Sequence, residues 1–147
     1  MSPVIFILLM VVILMGVLVF SLYLLRRQIT NRTQAARERF PNAKLIIPSA
    51  NFYGQESKGV MQLRGNGTLV LTDTELYFEQ WIVQREFRIP LAAIQALETP
   101  SSYLGKTNFR PLLKVVFRDE SGHTDSMGWL VGDVEALKRA VDAARNS

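Results

Sequence analysis

From Val4 to Leu25 the chain reads VIFILLMVVILMGVLVFSLYLL, with no charge and only Gly16, Ser21 and Tyr23 as mild interruptions. Twenty-two residues at about 1.5 Å rise make roughly 33 Å of helix, enough to cross a hydrocarbon core of about 30 Å. A cleaved leader would carry a basic start and a small-residue cleavage motif, and Met1-Ser2-Pro3 and the end of the run supply neither. The pattern predicts a retained membrane anchor over residues 1–25. Residues 26–44, RRQITNRTQAARERFPNAK, follow as a basic stalk in which Pro41 ends any helix near Phe40.

Beyond residue 45 the periodicity changes to that of short strands. Met61 and Leu63 alternate with polar neighbours, and Gly65-Asn66-Gly67 reads as a turn. Leu69 and Leu71, then Leu76 and Phe78, share a face, and parity pairs Leu71 with Leu76 across Asp73-Thr74. Phe87, Ile89 and Leu91 follow, and Pro90 marks an edge or a strand end. Phe78 and Ile89 both need the core, so the loop between them has an even length. A four-residue loop at 82–85 pairs Phe78 with Ile89 and Glu79 with Arg88. Short runs at Ile94–Leu97, Leu113–Phe117 and Ser126–Val131 complete the strands, with Glu120-Ser121-Gly122-His123 as a hairpin loop and Trp129 facing the core. The chain closes on a helix capped by Asp133, with Val134, Leu137, Val141 and Ala144 on one face.

Charge changes this picture in one respect. The net charge is +4, yet residues 1–40 alone contribute that excess through Arg26, Arg27, Arg32, Arg37 and Arg39 against Glu38, and residues 41–147 balance to zero. The five arginines flank the anchor on one side only. They place the short N-terminus outside and the rest of the chain in the cytoplasm. There the sequons at Asn31 and Asn66 stay unmodified. The collar is either a spacer that sets topology or a docking segment for anionic headgroups. A neutral domain argues against nucleic acid as a partner. The mean hydropathy of +0.12 is then an average over an anchor and a water-soluble domain.

The order Gly67-Thr68-Leu69-Val70-Leu71-Thr72, Leu76-Tyr77-Phe78, then Arg88-Ile89-Pro90-Leu91-Ala92-Ala93-Ile94 resembles the GRAM and bacterial PH-like domains over roughly residues 50–145. The resemblance implies an α+β, mainly β fold over residues 45–147. This would be a bent antiparallel sheet of about seven strands capped by the last helix. It also implies a non-enzymatic binding or scaffolding module, for lipid headgroups, peptides or proteins. One departure stands out: where phosphoinositide-binding PH domains carry a final basic residue in the first hairpin, this chain has Asn66 after Lys58 and Arg64.

Candidate chemistry is sparse. No cysteine is present and His123 is the single histidine, so Cys- and His-based metal clusters are excluded, and no cofactor is implied. A small hydrolase using Ser121 and His123, with Asp125 near, is the alternative from a different class. A sequential trio in one turn is a poor triad. An accessory subunit of a membrane complex is the alternative within the binding class. Parity puts Tyr77, Glu79 and Trp81 on the face opposite Leu76 and Phe78, either as an exposed partner surface or covered by the bent sheet or by segment 45–55. Lys58, Arg64, Lys106 and Arg110 fall in loops or strand ends. They would touch headgroups if they converge on the membrane side, and otherwise only solubilise.

Overall fold

The computed structural model describes residues 2–147, so the first residue of the predicted anchor lies outside it. Helix α1 runs Pro3–Arg39 without a break, capped at its start by Ser2 and stopped at Phe40, before Pro41. The strands are β1 (Leu45–Gln55), β2 (Gly65–Leu71), β3 (Glu75–Gln80), β4 (Arg85–Pro90) and β5 (Ile94–Glu98). A small hairpin of β6 (Ser102–Tyr103) and β7 (Lys106–Thr107) follows, then β8 (Leu113–Arg118), β9 (Thr124–Leu130) and helix α2 (Val134–Arg145).

Seven strands form one bent antiparallel sheet in the order β4-β3-β2-β1-β9-β8-β5, and β6 with β7 stands apart. Register shifts inside β1, once against β2 and once against β9, and another within β5 mark where the pairing is irregular. Such irregularities bend strands and increase local twist. The inner face gathers Phe52, Phe78, Phe87 and Trp129 into an aromatic cluster with ring centroids 4.9–6.2 Å apart. The four apolar residues anticipated on the last helix are all buried, and Asp133 caps it by accepting from the Ala136 N–H at 2.9 Å. Each fully buried aliphatic side chain contributes about 1.5–3 kcal/mol. Leu71 pairs with Leu76, Pro90 ends the edge strand β4, and Trp129 lies in the core, as the pattern anticipated.

Three local expectations are corrected. Met61 and Leu63 form no strand: they lie in the long loop after β1, 93% and 80% exposed. Gly65-Asn66-Gly67 is the start of β2 rather than a turn. Its glycines serve close approach, because a Cβ on Gly65 would run into Gln80, and one on Gly67 into the Glu79 carbonyl and the Phe78 ring. Glycine inside a strand often marks such contact. The loop after β3 has the expected four residues but begins one position earlier, at Trp81, so Phe78 faces Phe87 and Leu76 faces Ile89. A shift of two in the pairing preserves parity, which is why face assignments survive it. It adds an aromatic pair to the core, and Gln84 takes the positive φ of +48° that closes the turn. Glu79 thereby faces Glu86, and Arg88 pairs with Glu75 instead.

Candidate functional site

The described residues of the apolar stretch of α1 are exposed throughout, an arrangement water does not reward. It is one helix near the N-terminus, long and apolar enough to span a membrane. The second half of the same helix behaves differently. From Arg32 to Phe40 it lies against the outer face of β2 and β3, lining a cleft with Thr68, Val70, Tyr77 and Glu79.

This contact decides the fate of the aromatic face. Of the two alternatives for Tyr77, an exposed partner residue or a covered one, the structure takes the second: it is 1% exposed. The Phe40 ring packs on it at 4.7 Å between centroids, and the Arg39 guanidinium sits 5.1 Å above it. Arg88 stands over the ring as well, at 4.9 Å. Arg39 donates to the Tyr77 hydroxyl at 2.8 Å and forks onto the Glu86 carboxylate at 2.9 and 3.2 Å. Burial pushes the Tyr77 phenol well above its ordinary value. The Arg39 hydrogen bond holds Glu86 below the usual carboxylate range and raises Arg39 in return. Trp81 is half-buried: its indole N–H donates to Thr68 Oγ1 at 3.0 Å, and Arg32 lies 4.6 Å over its ring. Glu79 is half-buried beside the same cleft.

The occupant of this face is therefore the chain's own stalk. The residue pattern offers segment 45–55 or sheet curvature as the cover; in the structure the cover is α1. A signal was present: Arg32 and Arg39 are separated by two helical turns, about 10 Å, and Tyr77 and Trp81 by four strand residues, about 13 Å. Arginine over an aromatic ring is the recurrent cation–π pairing. Of the other collar residues, Arg26, Arg27 and Arg37 are exposed on α1.

Two of the four predicted headgroup residues, Arg64 and Lys106, meet at Tyr53. Arg64 stacks over Tyr53 at 4.2 Å, and Lys106 Nζ donates to the carbonyls of Tyr53 and Gln62 at 3.1 and 2.7 Å. Burial first, and nearby Arg64 second, lower the Lys106 amine. Lys58 ends the short 3-10 turn Glu56–Lys58 and is exposed. Arg110 sits apart, reaching the Gly132 carbonyl at 3.4 Å.

Ser121, His123 and Asp125 do not assemble either. His123 is 82% exposed in its side chain, 4.0 Å from Asp119. Asp125 turns inward, where its carboxylate accepts from Gln55 Nε2 at 2.6 Å, Ser57 Oγ at 2.7 Å and the Ser57 N–H at 3.0 Å. Burial alone would raise the Asp125 carboxyl, but these donors outweigh it and leave it below its ordinary value. Tyr103 completes this small polar core by donating to the Ser126 carbonyl at 2.8 Å, and burial pushes its phenol up to about 12.

No family model matches the chain, and no curated protein matches it. Solved structures do. The C-terminal domain of an unknown protein from Leishmania infantum superposes with a TM-score of 0.56 at 13% identity, over 78% of this chain and 98% of that one. A chain of the 8S snRNP assembly intermediate gives 0.56 at 11% identity, over 71% of this chain and 83% of that one. A weaker likeness, 0.43 at 11% identity over 71% of this chain and 25% of that one, is to Vav1 inhibited by an allosteric inhibitor. At such identities the first two likenesses speak for the fold alone, a bent antiparallel sheet closed by a C-terminal helix.

Proposed function

We propose that the chain is a single-pass, membrane-anchored binding module. Its PH-like domain, of GRAM type, is held at the cytoplasmic face, and it works by binding rather than by catalysis. The observation that supports this reading is the continuity of α1: one unbroken helix joins an unburied apolar stretch to an arginine clamp on the sheet. The arginine collar orients the span. Anchoring confines the domain to the membrane surface and raises its effective concentration toward neighbours there, so a weak intrinsic affinity suffices. The aromatic face being taken by α1, a protein partner is met on another surface.

Membranes holding the full-length protein, tagged at its C-terminus, test this. The protein should resist carbonate extraction, and protease added outside intact cells should leave the tagged domain whole. Release by carbonate overturns the anchor, and ready cleavage from outside overturns the orientation. Purification in mild detergent should bring a protein partner along in fixed proportion; the chain alone, from membranes where it is native, would overturn the scaffolding role.

A further inference from the structure

Apolar side chains exposed to water are ordinary when single and informative when grouped. Here Met61 and Leu63 from the loop after β1 meet Val83 from the loop after β3 across one cleft, and Ile82, 90% exposed, stands beside Val83. The two loops belong together because the Trp81 N–H donates to the Asn66 carbonyl at 3.0 Å, while Gly65 pairs with Phe52 near the end of β1. Arg64 and Arg85, both exposed, flank the group.

The direction in which this tip points follows from two contacts. Arg32 meets Trp81, and Arg39 meets Tyr77, so passing down α1 away from the apolar stretch means passing backward along β3. The tip at the end of β3 therefore faces the apolar stretch. Arg32 lies seven residues beyond Leu25, about 10 Å along the helix axis. Ile82 and Val83 lie in the turn beyond Trp81, on the side of that level nearer the apolar stretch. That leaves them within about 10 Å of the level of Leu25, in reach of the headgroup layer, which is about 5–7 Å deep on each side of the hydrocarbon core.

We infer that Met61, Leu63, Ile82 and Val83 form an insertion tip that enters the interfacial layer of the same membrane that holds α1, with Arg64 and Arg85 beside anionic headgroups. The occupant is lipid because the helix places the tip at that depth, and because an apolar centre with a basic rim matches an anionic interface. The inference rests on the anchoring reading. It goes beyond that reading by giving the domain a second, non-covalent hold on the bilayer and thus a fixed posture.

The absence of cysteine makes the test clean. Full-length Ile82→Cys and Glu120→Cys variants, each labelled with nitrobenzoxadiazole, are reconstituted in phosphatidylcholine vesicles containing phosphatidylglycerol. Both sites are exposed, and Glu120 lies in the loop beside Asp119, which borders Pro90 at the opposite end of β4. The Ile82 label should emit at shorter wavelength and be quenched by nitroxide-bearing lipid, while the Glu120 label stays aqueous. Inserting seven helix-forming residues after Arg27, two turns, should lift the tip by about 10 Å and abolish both signals. An Ile82 label that stays aqueous on carbonate-resistant protein overturns the insertion tip and leaves the anchor standing. A blue shift without nitroxide quenching means that protein covers the tip, and overturns it too. Release by carbonate overturns the anchor, and the tip with it.

Discussion

The two helices of this chain have opposite relations to solvent. α2 is short and amphipathic, and its stability comes from the four apolar residues it presses onto the open side of the sheet. α1 is three times as long, apolar all round in its first part, and buries no residue fully. A helix of the first kind needs a protein neighbour, and one of the second kind needs a different solvent. The same secondary structure therefore carries two assembly rules, and substitutions should separate them.

The largest effect is expected at Leu137, at the centre of the buried face of α2. Leu137→Ala should cost about 2–5 kcal/mol of domain stability. Leu14→Ala, on the exposed apolar run, should leave the domain's unfolding midpoint unchanged. Tryptophan fluorescence, from Trp81 and Trp129 together, during denaturant titration of the full-length protein in detergent reads both; equal shifts would erase the distinction.

A second, smaller effect concerns what fastens the sheet independently of either helix. Asp125→Asn keeps the shape but removes the charge that Ser57 and Gln55 satisfy, and should cost about 1–3 kcal/mol at neutral pH. Because the folded-state pKa of Asp125 is depressed, its contribution is complete above the unfolded value near 4 and fades as pH falls below it. The wild type should accordingly lose its advantage over Asp125→Asn on acidification through that range. A stability difference that does not change with pH would contradict this assignment.

The smallest effect compares the two N-caps. Asp133→Ala should cost the domain about 1 kcal/mol, since it frees the Ala136 N–H. Ser2→Ala, at the start of α1, should cost the domain nothing, although Ser2 accepts from Ile5 in the same manner at 3.4 Å. Matched denaturation curves measure both.

How much of this was readable in the residues follows from the range of the forces involved. Periodicity of 3.6 and 2 is local, so the apolar span, the strands from Leu69 onward, the cap at Asp133 and the buried face of α2 could all be read directly. Parity carried the core faces through even though the turn at Trp81 began one residue early, because only an odd slip would have inverted them. The failures are long-range. Gly65 and Gly67 look like turn residues until Gln80 and Phe78 lie across them. Parity leaves Tyr77 either exposed or covered, and what covers it, a helix thirty-eight residues earlier, is not in the local pattern. Met61 and Leu63 show a two-residue period that no partner strand takes up. At the candidate site the residue types were found, but their occupant was not, since nothing local says that the second half of a long helix will lie down on a sheet.

The absence of any joint in α1 has one more consequence. A flexible tether would let the domain present every side to its neighbours in turn. A continuous helix instead fixes its azimuth, because each residue added or removed between Leu25 and Arg32 swings the whole sheet by about 100° around the helix axis. Which flank of the domain is turned toward a neighbour of the apolar stretch is thus encoded in the spacing of a few exposed residues on α1, and a single deletion there would redirect it while leaving every contact of the sheet in place.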